Sequence, residues 1–218
     1  MRRITSIIWD WNGTLLDDID LCISAMNVLL EKRNLPKLTK DHYQKVFTFP
    51  VIEYYKKLGF DFTKESFDVP AHEFIDEYNK NFHITKLQKG VVEVLEYFES
   101  QNIKQFILSA MEQKSLQTTV KIFNIEKYFE ELIGIRDHFA FSKVDFGKQL
   151  IEKYKLHLKE TCLIGDSTHD YEVAKELGIN CILITNGHMP KERLMGLKAV
   201  YYSDLYELIK NIENSKTA

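Results

Sequence analysis

The chain has 218 residues, 44% hydrophobic and 28% charged, which suits one folded domain or a core carrying a smaller insertion. A net charge of −3 is too balanced to argue for nucleic acid or a membrane surface as partner, and no apolar run approaches the roughly 18 residues needed to span a bilayer. Cys22, Cys162 and Cys181 are dispersed with no Cys-x-x-Cys or Cys/His cluster, and MRRITSIIWD offers two arginines and a short apolar run but no small-residue cleavage site. Reduced thiols of a cytoplasmic protein are the expectation.

In chain order, Ile4 to Trp9 is mostly apolar and β-branched, and it stops at Asp10 with Gly13 close behind. That pattern predicts a buried strand with Asp10 at its carboxyl end, where open parallel sheets bind ligands. Asp10 could equally cap a turn. Leu16 to Arg33 has helical spacing (Ile19, Ile23, Met26, Leu29, Leu30), with Asp17, Asp18 and Asp20 suited to a helix N-terminus. Thr39 can cap a helix over Lys40 to Phe47, Pro50 can open another over Val51 to Leu58, and Glu65 to Phe82 reads as helix broken near Pro70. Residues 16–83 thus predict an all-helical insertion, 16–83, between the parts of a core formed by 1–15 and 84–218. Its many aromatics, Tyr43, Phe47, Tyr54, Tyr55 and Phe74 among them, should form its small core, with one or two facing a substrate.

Strand and helix then alternate. Helices are expected over Gly90–Ser100, Glu112–Phe123, Asp145–Tyr154, Thr168–Leu177 and Ser203–Ile212. Strands are expected over Ile103–Leu108, Leu132–Ile135, Thr161–Ile164, Cys181–Ile184 and Ala199–Tyr201. Repeated β-α units predict an α/β protein with a Rossmann-like parallel sheet, helices on both faces, and an inserted all-helical cap.

The predicted strand ends collect Asp10, Ser109, Asp166 and Asn186-Gly187, with Asp170 one helical turn beyond Asp166 and Lys143 in a loop within reach. Two carboxylates, a hydroxyl and an ammonium suit a Mg²⁺-assisted phosphoryl site, in which a carboxylate beside the metal can itself be the nucleophile. Each residue also has a plainer reading: Asp166 with Asp170 as a helix N-terminal charge pair, Ser109 as a helix cap, Asn186-Gly187-His188 as a turn, His169 as exposed helix surface.

DWNGT at 10–14, the apolar run ending in Ser109, Lys143, and GDSTHD at 165–170 followed by YEVAKELGI together resemble a haloacid dehalogenase-like (HAD superfamily) phosphohydrolase with a helical cap, most nearly the phosphoglycolate phosphatase-like members. The resemblance implies Asp10 as nucleophile, and Mg²⁺ held by the Asp10 and Asp166 side chains and the Asn12 backbone carbonyl. It further implies a phosphoryl group held by Ser109, Ala110, Gly13 and Lys143, with Asp170 and Ser167 behind them. The implied partner is a small phosphorylated metabolite. On oligomeric state the sequence is silent, and a monomer is the simplest reading.

Two departures stand out. Lys143 is followed by Val144-Asp145 where the family has Lys-Pro; Lys148 is the rival, set aside because it falls inside the predicted helix. More seriously, Asn12 stands where the family's phosphatases have the Asp that protonates the leaving oxygen and then activates water. Asn donates hydrogen bonds but carries no proton, and loss of such a group typically costs about 10²–10⁴ in rate. A slow phosphatase is expected, with breakdown of phospho-Asp10 retarded. A cap residue could supply the base, Asp17, Asp18 and Asp20 being nearest in sequence. The rivals are a phosphotransferase or mutase, and a non-catalytic binder of phosphate ligands.

Overall fold

A computed structural model of the protein describes residues 4–135 and 142–217. The chain opens with β1 (Ser6–Trp9) and leaves the core through β2 (Leu16–Asp17). It then runs through α1 (Ile19–Lys32), α2 (Lys40–Val46), α3 (Val51–Lys57) and α4 (Asp68–Lys80). It returns through β3 (Lys86–Leu87) to α5 (Val91–Ser100), β4 (Lys104–Glu112), α6 (Gln113–Ile122) and β5 (Glu131–Ile135). After α7 (Lys143–Tyr154) come β6 (Thr161–Gly165), α8 (Thr168–Leu177), β7 (Asn180–Ile184), α9 (Lys191–Leu194), β8 (Val200–Tyr202) and α10 (Leu205–Thr217).

Six strands form one parallel sheet in the order β5-β4-β1-β6-β7-β8. Side chains alternate across it, as the pleat requires. Ile7 and Trp9 face one layer with Val94, Leu95, Phe98, Leu116 and Leu208, while Ile8 faces the other with Phe106, Phe146 and Leu150. Trp9 is fully buried, and its indole donates to Gln105 Oε1 at 3.0 Å, whose amide donates to the Leu95 carbonyl. This buried polar pair is therefore satisfied on both sides. β1 sits between β4 and β6, so the chain builds outward from it first on one side and then on the other. That reversal opens a crevice at the carboxyl ends of the central strands.

Two expectations need correction here. The insertion is not purely helical, because β2 pairs antiparallel with β3 (Leu16 with Leu87, Asp17 with Lys86). The two chain crossings into and out of the cap are thus zipped together, and runs of two residues are too short to announce themselves as strands. The second core strand is also longer than expected: β4 passes through Ser109 to Glu112, with its register against β5 shifting between Leu108 and Glu112. Such an irregularity re-aims side chains beside a site, and it places Ser109 within the strand rather than after it.

The cap packs on its own aromatics as expected. Tyr54 and Tyr55 lie edge-on to each other and Tyr55 meets Phe60 and Phe67. Arg33 pins α1 to the segment before α4 and to α4 itself through Glu65 and Glu73. Lys45, Lys56 and Lys57 lie on the solvated side. Among the described residues no helix is long and apolar enough to cross a membrane.

Candidate active site

Asp10 immediately follows β1, its backbone N–H bonded to the Ile164 carbonyl of β6. The chain then turns through Gly13 at φ +80°, where a Cβ would collide with both His188 and Asp166. Only glycine permits that turn at that closeness. Asp166 follows β6, and a Cβ at Gly187 would strike it too. Asp10, Asp166 and Asp170 are all buried, and one carboxylate oxygen from each lies within 4.8 Å of the others.

Lys143 Nζ donates to Asp10 Oδ1 and to Asp170 Oδ1, both at 2.7 Å, and is itself almost fully buried. Lys143 is the first residue of α7 rather than part of a preceding loop, because Ser142 caps that helix in a reciprocal pair with Asp145. Position relative to the helix therefore does not separate Lys143 from Lys148. Burial does, since Lys148 is exposed. A cation at a helix N-terminus opposes the helix dipole, so the two carboxylates hold it there.

Asp170 does two jobs with two oxygens. Its Oδ1 takes Lys143, while Oδ2 accepts from the Ser167 hydroxyl at 2.6 Å and the Ser167 N–H at 3.1 Å, closing a capping box at the start of α8. The charge-pair reading and the lysine-holding reading are both physically realised in this one residue. Ser109 does not cap α6; Glu112 does, accepting from the N–H groups of Lys114 and Ser115. The Ser109 hydroxyl accepts from the Met111 N–H at 3.0 Å, which leaves its own proton available, and Ala110 beside it is exposed to the cavity. The Thr14 hydroxyl lies 3.3 Å from Asp10 Oδ2 and 3.2 Å from Asp166 Oδ1.

Burial and the Asp170 carboxylate push Asp10 up to about 6, against the pull of Lys143. Burial, with Asp10 and Asp170 nearby, pushes Asp166 up to about 7 despite His188. Two buried oxygen-donor groups near neutrality, with one ammonium for three carboxylates, form a pocket short of positive charge. An all-oxygen donor set of this kind fits a hard divalent cation, and Asp10 with Asp166 would hold it.

Beside Asp10 lies a second buried network that sequence reasoning missed. Asp18 Oδ2 accepts from the Asn12 side-chain amide at 2.8 Å and from the Tyr78 hydroxyl at 2.9 Å. Asp18 Oδ1 accepts from the Gly13 N–H at 3.1 Å and faces His188 Nε2 at 3.1 Å, and Tyr43 OH lies 2.7 Å from His188 Nδ1. Burial works to raise Asp18, but the His188 charge and the surrounding donors outweigh it and hold the carboxyl low. Burial works to lower His188, but Asp18, then Asp166 and Asp10, bring it up to about 9. Asp18 is thus a fixed anion paired with a fixed cation. Asp17 pairs with Lys86 and Asp20 with Lys40, away from the network. His188, Tyr43 and Tyr78 are remote in sequence from Asp18, and nothing in their spacing could have joined them.

A cavity of about 430 Å³ opens from Asp10 into the cap. His169 lines it, stacked on Phe49 with ring centroids 4.8 Å apart, which corrects its assignment to exposed helix surface. Trp11 is fully buried against Phe123.

Beside this crevice, with a carboxylate at the end of the central strand, a buried lysine on it and a second carboxylate from the next strand, stands the likeness of the whole chain to known proteins. The family model described as haloacid dehalogenase-like hydrolase matches residues 7–184. The chain belongs to that family. Within it the chain stands with the phosphatases. It is 24% identical over 231 residues to a phosphoglycolate phosphatase of Chromobacterium violaceum, covering 97% of this chain and 99% of that one. It is 24% identical over 187 residues to pyrophosphatase PpaX of Listeria monocytogenes, covering 79% of each. A haloacid dehalogenase-like hydrolase from Streptococcus pneumoniae shares the fold with a TM-score of 0.85 at 20% identity, covering 97% of this chain and 100% of that one.

Proposed function

We propose that this hydrolase is a Mg²⁺-dependent phosphatase of small phosphomonoesters that works through an aspartyl phosphate on Asp10 and turns over slowly. The observation that carries the proposal is the buried Asp10 carboxylate, held at 2.7 Å by Lys143 and facing the cavity beside Ser109 and Asp166. Asp10, Asp166 and the Asn12 carbonyl would hold Mg²⁺, which when bound neutralises phosphate oxygens and keeps both carboxylates ionised.

Lys143 fixes the Asp10 rotamer and offsets charge on the phosphoryl oxygens, with the Ser109 hydroxyl and the Ala110 amide as further donors; the Gly13 N–H, a candidate from sequence, is already given to the Leu16 carbonyl and Asp18 Oδ1. Asp10 attacks phosphorus, the ester oxygen leaves with its electron pair, and water later cleaves the acyl phosphate. Asn12 donates to Asp18 and Tyr78, so it neither delivers a proton to the leaving oxygen nor takes one from water. Asp18 cannot substitute, because His188 and four further contacts keep it ionised and enclosed. Both proton transfers then fall to solvent, and the second step suffers most.

Rapid quench with p-nitrophenyl phosphate and Mg²⁺ tests this. A burst followed by slow turnover is expected, abolished in Asp10→Asn. Asn12→Asp should quicken turnover by about 10²-fold or more. A new carboxylate there would face Asp18 Oδ2 from where the Asn12 amide now lies at 2.8 Å, so like-charge repulsion should raise its pKa and place the gain at high pH. Exchanging the pair, Asn12→Asp with Asp18→Asn, should move the gain to lower pH. Fast turnover of the wild type with no burst would sink the reading. Phosphorylation of an added alcohol in excess of free phosphate would mark a phosphotransferase, and bound ester with no chemistry a binding protein.

A further inference from the structure

The cavity above Asp10 has chemistry of its own. Its cap wall is mostly apolar: Met26, Phe47, Phe49, Phe67, Phe74 and Ile75 line it, with the neutral amide Asn79 beside them. Ile75, at 43% exposure, is among the large hydrophobic residues left open, and it is open at this cavity. Tyr54 also lines it, buried, with a hydroxyl that finds no hydrogen-bond partner among the described residues. An apolar surface kept open and a buried polar atom left single both point to an occupant.

Charge restricts what that occupant can be. Among the described residues lining the cavity the cations are Lys143, already held by Asp10 and Asp170, and His188, held by Asp18. Burial and Lys143 keep His169 below the usual histidine range, so it is neutral near pH 7. A second anionic group on the substrate, a carboxylate or another phosphate, would enter an aromatic wall with no free cation among these residues. Burying an unpaired charge there is strongly unfavourable. A hydrocarbon group meets no such cost and gains roughly fourfold in binding for each fully buried methylene.

We infer that the substrates of this site are phosphomonoesters of uncharged, apolar alcohols or phenols, with the organic group seated against the Phe47, Phe49 and Phe74 face of the cap. This rests on the phosphatase reading above. It separates the chain from its relatives, whose names specify pyrophosphate and phosphoglycolate, each with a second anionic group.

The test is a series of ethyl, butyl and hexyl phosphates against 2-phosphoglycolate and pyrophosphate, with kcat/KM measured at one Mg²⁺ concentration. The alkyl esters release alcohols of similar acidity, so their differences report the cavity rather than the bond. The expected result is a two- to fourfold rise per methylene, with both competitors that carry a second anionic group at least tenfold below hexyl phosphate. Ile75→Lys, at an exposed position that tolerates charge, should flatten the alkyl series and raise phosphoglycolate about tenfold. A flat series in the wild type, or preference for either competitor, overturns the inference.

If no ester is hydrolysed, titration calorimetry with hexylphosphonate and phosphonoacetate separates the two proposals. Tighter binding of hexylphosphonate keeps the apolar seat and removes the phosphatase. Equal binding, or none, removes the apolar seat.

Discussion

Lys143 is the residue on which the site's charge balance turns. It is buried between Asp10 and Asp170 at 2.7 Å from each, and no water is needed to explain how those carboxylates stay close. Breaking such a pair by removing one partner costs about 3–5 kcal/mol, because the remaining charges are left unpaired in a low dielectric. Lys143→Met should therefore lower stability by that amount in chemical denaturation of the metal-free protein. Lys148→Met, five positions along the same helix but exposed, should stay within about 0.5 kcal/mol. Equal effects at the two positions would mean the ion pair adds nothing. From sequence Lys143 was preferred because the predicted helix contained Lys148 and left Lys143 outside; in the fold both are helical, so that criterion does not separate them. The decisive quantity was burial against residues 27 and 133 positions away, which no local pattern contains. Asp170, by contrast, was legible because it stands one helical turn beyond Asp166 in the GDSTHD run; the capping box it forms with Ser167, three residues off, is equally local.

At the scale of elements, the question is how the cap is held over the crevice. α2 sends Tyr43 to His188, its Gln44 amide reaches the Gly187 carbonyl at 3.4 Å, and Arg193 of α9 donates to the Phe47 carbonyl. α4 sends Tyr78 to Asp18 and Asn12. These contacts, with the β2–β3 ribbon at the base, close the cap on the core around one cavity. Closure of this kind excludes water from a phosphoryl site. Tyr43→Phe removes one of the latches and leaves a buried imidazole N–H without its partner, at a cost of about 1–3 kcal/mol. Denaturant unfolding should register that loss, and amide exchange in Lys40–Val46 should quicken. Unchanged exchange in α2 would show that this hydrogen bond does not hold the cap. The helices themselves were readable from apolar spacing and caps, as with Thr39, whose side chain accepts from the His42 N–H. Their closure on the core was not readable, because it is made by single side chains at helix ends.

For the whole molecule, the buried carboxylates link stability to pH and to metal. Asp10 rises to about 6 and Asp166 to about 7 from a usual value near 4, so between roughly pH 4 and 7 the folded state binds more protons than the unfolded one. Stability then falls as pH rises through that window. His188, raised to about 9, contributes stability that is complete below about 6.5 and is lost as pH rises toward and through 9. Without metal the protein should therefore melt at lower temperature at pH 8 than at pH 5.5. Mg²⁺, which favours the ionised carboxylates, should raise the melting temperature more at pH 8 than at pH 5.5. A larger metal effect at the lower pH would contradict this assignment of the charged groups. At this scale too, the division between sequence and fold has a physical basis. Strand and helix periodicity, Gly13 and the Ser-x-x-Asp of α8 are local or periodic signals, and they determined the parallel α/β core, the inserted cap and the carboxylates at the strand ends. The extension of β4, the β2–β3 ribbon, the burial of Lys143, the Asn12–Asp18–His188–Tyr43 network and the apolar cavity were decided by tertiary structure. Each depends on which distant residues exclude water from one another, and that is set only when the cap and the sheet meet.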